Sequence, residues 1–249
     1  MDLGKFKLIT LEKKDEIMIL KLNRPEKKNA LSLALRAELL EALDLIKETE
    51  NIRSVIIYGG EEVFCAGFDI EEIQASLIDL EGADDFINNL LIFHQKFFEF
   101  PKLLIAAVNG YAVAGGFDLA VLCHLRVASK NAVFGHPEIK FGACPLFFPY
   151  MTLVGRGKAL ELVLNTSSRE TFIDANEAYR LNIINKLVEP GNVLEEAIKL
   201  ANQINQSSDV GITQLIAVNN AFINQTEAYK IELDVILKNF KKLLSSDNH

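Results

Sequence analysis

Residues 106–123, AAVNGYAVAGGFDLAVLC, contain the change of pattern that decides the fold. An apolar run ends near Val108, and the Ala-Gly-Gly cluster at residues 114–116 precedes a second apolar run. A short apolar run without alternation is typical of a strand buried on both faces, and a glycine cluster is typical of a turn. The segment therefore predicts a buried strand, a tight turn and a buried helix.

The same alternation extends to both sides of this segment. Residues 54–58, SVIIY, form another buried-strand pattern, and a helical pattern runs from Asp84 to Phe100 before Pro101. Strand and helix patterns alternate up to about residue 190, after which only helical patterns remain. The last of these has apolar residues at spacings of three and four, namely Tyr229, Leu233, Ile236, Phe240 and Leu243.

This order of patterns predicts an α/β fold in two regions. Residues 1–190 are expected to form the α/β core, and residues 191–249 a C-terminal helical region that packs on the core or on another subunit. At the N-terminus, residues 6–11 and 16–22 favour an antiparallel hairpin. Ser32 is expected to cap a helix whose buried face carries Leu35, Leu39, Leu43 and Ile46.

Composition excludes several classes of protein. The 249 residues include 26 Lys and Arg against 34 Asp and Glu, a net charge of −8 that opposes binding to nucleic acid or to anionic lipid. No apolar run approaches the roughly 18 residues of a membrane span. The cysteines Cys65, Cys123 and Cys144 are widely spaced and contain no Cys-x-x-Cys pair, which favours a reducing compartment. We expect a cytoplasmic protein without nucleic-acid or membrane partners.

Familiar cofactor motifs are absent from the sequence. The Gly-Lys pair in GRGKA, residues 155–159, suggests a phosphate loop. However, Thr152 stands five residues before Gly157, where that loop needs its first glycine, and Ala159 stands where it needs Ser or Thr. Leu160 stands where the dinucleotide fingerprint needs its last glycine. The four histidines are scattered, so no metal site is expected.

Two turns are candidate anion sites. Residues 66–68, Ala-Gly-Phe, lead into a helix near Asp69, and residues 114–116 lead into a helix that carries Asp118. The first amides of a helix have no helical partner and attract negative charge. Two such amides that converge on one oxygen would form an oxyanion hole, and Asp118 would place a carboxyl group in the same cleft.

Each of these features also has a purely structural interpretation. Glycine pairs are common in ordinary strand-to-helix turns, and an aspartate in the first turn of a helix interacts favourably with the helix dipole. Glu138 follows Pro137 in a loop, where glutamates are usually solvated, and His136 is more often structural than catalytic.

Five segments taken in order resemble the enoyl-CoA hydratase/isomerase family, the crotonase superfamily. They are NRPEKKNAL, FCAGFDI, VNGYAVAGGFDLAVLC, FGHPEIKFG and DANEAYRLNIINKLV. The resemblance spans about residues 5–245. It implies a spiral of repeated ββα units followed by a helical C-terminal region, assembled as a homotrimer or a dimer of trimers.

The resemblance also implies a set of site residues. The oxyanion-hole amides would be those of Phe68 and Gly115, and the acid/base pair would be Asp118 and Glu138. Coenzyme A would be bound non-covalently as part of the acyl-CoA substrate, without a metal. Its contacts would be Lys27, Lys28, Ala30, Ala66, Asp69 and Ile70.

Departures from the family pattern leave the reaction open. Family hydratases commonly carry two glutamates, whereas the first acid here is the shorter Asp118. A glycine-rich segment often follows the second acid, whereas this chain has bulky residues that would line the acyl pocket, among them Phe147, Phe148 and Tyr150. Hydration of an enoyl-CoA is favoured. The alternatives are an isomerase or decarboxylase that uses mainly Glu138, and a non-catalytic binding protein with the same fold.

Overall fold

The computed structural model describes residues 4–76, 78, 80–225, 231–232, 234–236 and 238–239. Its strands are β1 (Ile9–Lys14), β2 (Ile17–Leu22), β3 (Ser54–Tyr58), β4 (Val63–Cys65), β5 (Leu103–Val108), β6 (Tyr111–Val113), β7 (Leu125–Ser129), β8 (Val133–Gly135), β9 (Ile173–Asp174) and β10 (Lys186–Val188). Its helices are α1 (Leu33–Lys47), α2 (Ile70–Ser76), α3 (Leu80–Phe98), α4 (Gly115–Leu122), α5 (Phe148–Val154), α6 (Arg156–Asn165), α7 (Ala175–Arg180), α8 (Val193–Asn205) and α9 (Asp209–Gln225). Short 3₁₀ helices cover Pro25–Lys27, Pro137–Phe141 and Arg169–Thr171.

The described strands form two sheets that the chain visits alternately. The larger sheet has the order β1-β2-β3-β5-β7-β10, and the smaller has the order β4-β6-β8-β9. The larger sheet is parallel from β2 onward, while β1 pairs with β2 in the antiparallel sense. Each strand pair β3-β4, β5-β6 and β7-β8 contributes one strand to each sheet and is followed by helix. The expected α/β spiral of ββα units is confirmed.

The N-terminal elements follow the sequence pattern with small shifts in their bounds. The predicted hairpin is confirmed, but β1 continues through Lys14, and the turn lies at Asp15, whose φ is 54°. The Ser32 side chain accepts a hydrogen bond from the Leu35 amide, and the predicted apolar face of α1 is buried. Helix α1 packs in the same core as α3 and the smaller sheet.

The C-terminal region begins as predicted with helices alone. Helix α8 packs on the large sheet through Val193, Ala197 and Ala201. Ile236 is buried against Phe86 and Ile87 of α3. Of the last predicted helical pattern, Tyr229, Leu233, Phe240 and Leu243 lie outside the described residues, and the division at residue 190 stays a prediction.

The described residues contain neither a membrane-spanning helix nor a cluster of metal ligands. Among them, none of the helices combines the length and hydropathy needed to cross a bilayer. Within the same part of the chain, no three His, Cys, Asp or Glu side chains lie together as a metal site would require. Cys65, Cys123 and Cys144 are free thiols.

Candidate active site

The turn before α2 is held by the loop that precedes α1. The amide of Ala66 donates to the Lys28 carbonyl at 3.0 Å, and the amide of Leu31 donates to the Gly67 carbonyl at 2.7 Å. These bonds fix residues 66–67 and leave the next amide, that of Phe68, without a partner among the described residues. The first of the two predicted donors is therefore free to bind a ligand oxygen.

The second donor lies at the start of α4. The amide of Ala114 donates to the Gly135 carbonyl at 2.9 Å, and the amides of Phe117 and Asp118 donate to the Ala114 carbonyl. The Gly115 amide has no partner in the described part of the chain. As the first residue of α4, Gly115 has no helical acceptor for that amide.

The two turns lie close together. Gly67 has φ +95°, and a Cβ atom placed on it would lie 2.8 Å from the Ala114 Cβ and 3.1 Å from the Gly115 nitrogen. A Cβ on Gly115 would lie 2.4 Å from Cε2 of the Phe68 ring. The approach needs glycine at both positions, and it places the first turn directly beside the first amide of α4.

Asp118 places a carboxyl group on the same helix as the second donor. Its side chain is buried, and the Tyr150 hydroxyl donates to Oδ1 at 3.0 Å. Burial raises the pKa of Asp118 well above its usual range, and the neighbouring Glu138 carboxyl raises it further. The hydrogen bond from Tyr150 opposes this rise in the pKa. A carboxyl group in this setting favours its protonated form.

Glu138 lies in the 3₁₀ helix Pro137–Phe141, which corrects the loop expected from the sequence. Its Oε1 is 3.0 Å from Nδ1 of the fully buried His136. The His136 ring stacks on Phe117, with centroids 5.0 Å apart, and meets the Tyr150 ring edge-on. Oε2 of Glu138 is buried and has no partner among the described residues. One oxygen is held in place, while the other is available to a ligand.

Sequence reasoning treated His136 as structural and Tyr150 as a pocket wall, whereas both contact the acid pair. His136 orients Glu138, and Tyr150 orients Asp118. The spacing of two residues between His136 and Glu138 is visible in the sequence, but it becomes informative only once the two side chains are known to contact each other.

The residues expected to contact coenzyme A lie around the first turn. The Arg24 guanidinium donates both to the Ala30 carbonyl at 3.0 Å and to the Asp69 carboxylate at 2.6 Å. Lys27 pairs with Glu71 at 2.7 Å. The Asp69 side chain is thus occupied by Arg24, which sequence reasoning missed. The side chains of Lys28 and Ile70 are exposed. The Ala66 amide donates its hydrogen bond to the Lys28 carbonyl.

The three bulky residues expected in the acyl pocket occupy different places. Tyr150 touches the acid pair, and Phe148 lines a separate cavity with Phe97, Val121 and Asn220. Phe147 is half-buried against the main core. Its amide and that of Phe148 donate to the Glu232 carboxylate, the latter at 2.9 Å.

Glu232 is a half-buried carboxylate that sequence reasoning missed. Burial raises the pKa of Glu232 to about 7, against the lowering effect of the two amides that it accepts. The residue belongs to the C-terminal region, 85 positions from Phe147. No local motif could have connected these two residues, because the contact exists only after the C-terminal region has packed on the core.

The strained turn at Ala114 leads to a prediction about stability. Ala114 has φ 50° and ψ −134°, which L-residues rarely adopt and which costs about 1–3 kcal/mol. Ala114→Gly removes the strain at an entropic cost of about 0.5–1 kcal/mol. We expect the free energy of unfolding to rise by about 1 kcal/mol and Tm by about 2–4 °C in calorimetry.

Ala112→Gly on β6 is the matched control. It is a buried alanine without a positive φ, so the same substitution there is expected to lower Tm. An equal loss of Tm in both variants would contradict the strain at Ala114.

Comparison with known proteins identifies the family. A family model described as enoyl-CoA hydratase/isomerase matches residues 12–249. A probable mitochondrial enoyl-CoA hydratase of Dictyostelium discoideum is 37% identical over 215 residues, covering 85% of this chain and 75% of that protein. A crotonyl-CoA hydratase of Syntrophomonas wolfei is 35% identical over 204 residues, covering 79% of this chain and 75% of that protein.

Solved structures agree as well. The crystal structure of an enoyl-CoA hydratase/isomerase from Xanthobacter autotrophicus Py2 superposes with a TM-score of 0.87 at 27% identity, covering 94% of this chain and 88% of that chain. The family model, the relatives and the solved structure all indicate the same family. The chain belongs to the enoyl-CoA hydratase/isomerase family.

Proposed function

We propose that the protein is an enoyl-CoA hydratase, a hydro-lyase that adds water across the α,β double bond of an enoyl thioester. Two observations support the proposal: the Phe68 and Gly115 amides have no partner among the described residues, and Asp118, three residues after Gly115 on α4, interacts electrostatically with Glu138. Two amides can stabilise negative charge on a thioester oxygen, and two carboxyl groups can exchange protons with water. Relatives named enoyl-CoA hydratase and crotonyl-CoA hydratase support the same chemistry.

The reaction follows from these groups. The thioester oxygen accepts hydrogen bonds from the Phe68 and Gly115 amides, and the acid pair holds one proton between its two carboxyl groups. The ionised carboxylate takes a proton from water as the water oxygen bonds to Cβ and the double bond opens. The protonated carboxyl gives its proton to Cα. One molecule of water is added, and the pair again holds one proton.

Coenzyme A is proposed to lie along the first turn, bound without a covalent link. Its contacts would come from Lys27, Lys28, Ala30, Ala66, Asp69 and Ile70, of which the lysines would face phosphates. With the oxyanion hole supplying the electrostatic stabilisation, neither a metal nor another cofactor is proposed. The acyl chain would pass Phe147 and Tyr150.

The test is the product formed from crotonyl-CoA in oxygen-labelled water. A hydratase removes the absorbance of the conjugated double bond and forms 3-hydroxybutyryl-CoA with one labelled oxygen. A double-bond isomerase, in which Glu138 alone moves a proton between carbons, forms no labelled product. Coenzyme A binding without either product would support the non-catalytic alternative.

The acid pair predicts a pH dependence. We expect kcat/KM to fall at alkaline pH, when Asp118, whose pKa is raised by burial, loses its proton. Because the Tyr150 hydrogen bond lowers the pKa of Asp118, Tyr150→Phe is expected to move the alkaline limb to higher pH. The measurement is the pH profile of kcat/KM for crotonyl-CoA, with the half-exposed Tyr179→Phe as the control. A limb that stays in place or moves to lower pH would contradict the role of Tyr150.

Helix α9 exposes Leu215, Val218 and Phe222, an apolar surface typical of a subunit contact. We propose a homotrimer or a dimer of trimers, tested by light scattering for three or six times 27.8 kDa.

A cytoplasmic location is proposed from the three free thiols and is tested by cell fractionation.

A further inference from the structure

Arg36 is a buried cation that forms no ion pair with any of the described residues. Its side chain lies on α1 and is only 4% exposed, and its Nε and Nη1 atoms have no hydrogen-bond partner in the described part of the chain. No carboxylate of the described residues lies within ion-pair distance of the guanidinium. The charge of Glu72 acts on it from farther away, and that carboxylate already accepts the Leu33 amide at 2.6 Å. A buried charge in this state is costly unless a ligand pairs with it.

A second unpaired polar side chain lies near Arg36. His94 of α3 is 3% exposed, and neither of its ring nitrogens has a partner among the described residues. Burial, together with the positive charge of Arg36, lowers the pKa of His94 to about 3. The ring is therefore neutral and offers one N–H donor. Arg36 and His94 together present buried donors that have no partner among the described residues.

The unused donors lie beside the proposed oxyanion hole. Cζ of Arg36 is 5.5 Å from the ring centroid of Phe68 and 5.4 Å from that of Phe86. The edge of the same Phe68 ring lies against Gly115. One aromatic ring thus contacts both the second amide donor and the guanidinium. If the two amides hold the thioester of a substrate, an acyl chain that runs along the Phe68 ring would reach Arg36.

The chemistry of the donors selects the ligand. A guanidinium binds a carboxylate through two parallel hydrogen bonds, and a neutral imidazole N–H can donate a third. A wholly apolar acyl chain would leave all of these donors unpaired. The contacts of Arg36 with the two aromatic rings offset only part of the cost of burying its charge.

We propose that Arg36 and His94 form a subsite for a carboxylate at the far end of the acyl chain, so that the preferred substrates are enoyl thioesters of dicarboxylic acids. The proposal rests on the proposed function for the reaction at the other end of the chain. To admit the carboxylate, the Phe68 side chain turns about its Cα–Cβ bond, while its backbone amide stays in the oxyanion hole.

Binding of unreactive thioesters tests the subsite apart from catalysis. Calorimetric titration compares adipyl-CoA with hexanoyl-CoA, which have the same chain length but differ in the terminal carboxylate. We expect wild type to bind adipyl-CoA roughly 10- to 100-fold more tightly, the range for a hydrogen-bonded charge pair. Arg36→Met should abolish this preference while hexanoyl-CoA binding is kept, and Arg36→Lys should restore part of it. The exposed Arg156→Met is the matched control.

Turnover provides the second measurement. The ratio of kcat/KM for 2-hexenedioyl-CoA to that for 2-hexenoyl-CoA should fall roughly 10- to 100-fold in Arg36→Met. Activity on 2-hexenoyl-CoA reports whether the variant is folded. Equal binding of the two saturated thioesters by wild type, or an equal loss of both in Arg36→Met, overturns the subsite. If the protein binds adipyl-CoA selectively but hydrates neither enoyl thioester, the subsite is supported and the proposed function is refuted.

Discussion

Glu138→Gln is expected to lower kcat for crotonyl-CoA hydration by about 10²–10⁴-fold, the usual range for the loss of a general acid or base. The amide side chain keeps the shape of glutamate, and its oxygen can still accept a hydrogen bond from His136. It cannot accept or give a proton at the position of Oε2, the atom that has no protein partner. The fold should therefore persist while proton transfer is lost. Stopped-flow loss of the enoyl absorbance measures the effect.

The companion variant Asp118→Asn separates two mechanisms. If hydration uses both carboxyl groups, this variant loses most of the rate as well. If Glu138 carries the chemistry alone, only Glu138→Gln is impaired. Glu12→Gln, at an exposed glutamate of β1, is the matched control and should retain the wild-type rate. A Glu138→Gln variant that hydrates as fast as this control would rule out Glu138 as a proton carrier.

The fold follows the sequence pattern closely because its buried strands are short apolar runs that end at turns. SVIIY at 54–58 and LLIAAV at 103–108 became β3 and β5 with the expected bounds. Helix α3 begins at Leu80, ahead of the predicted Asp84. Helix ends depend on local capping and packing more than on the period of apolar residues, so the bounds were less predictable than the elements.

The candidate site was only partly predictable, because its side chains come from distant parts of the chain. The turns at 66–68 and 114–116 were visible as glycine clusters, and Asp118 was visible by its position in the first turn of a helix. The role of Tyr150 depends on a contact across 32 residues, and that of Glu232 on one across 84 or more. Arg36 looks like an ordinary helix residue until its burial is known.

Gly67→Ala is the second variant with a large expected effect. Its Cβ would lie 2.8 Å from the Ala114 Cβ, 3.0 Å from the Val113 carbonyl oxygen and 3.1 Å from the Gly115 nitrogen. The alanine must also adopt φ +95°, which L-residues rarely occupy. The two turns must then move apart, so that the Phe68 and Gly115 amides no longer converge on one oxygen. We expect kcat to fall by about 10²–10³-fold, as when one oxyanion-hole donor is lost.

Two further variants separate the effect on the oxyanion hole from general backbone strain. Gly155→Ala imposes a similar positive φ of +79° where a Cβ would meet nothing within 4 Å, so it should lower Tm but keep kcat. Adding Ala114→Gly to Gly67→Ala removes the closest of the three contacts and should restore part of kcat. Since Ala114→Gly alone is expected to raise Tm, recovery of Tm without recovery of kcat would show that the separation of the turns does not control the rate. Recovery of both would tie the rate to the approach of the two turns.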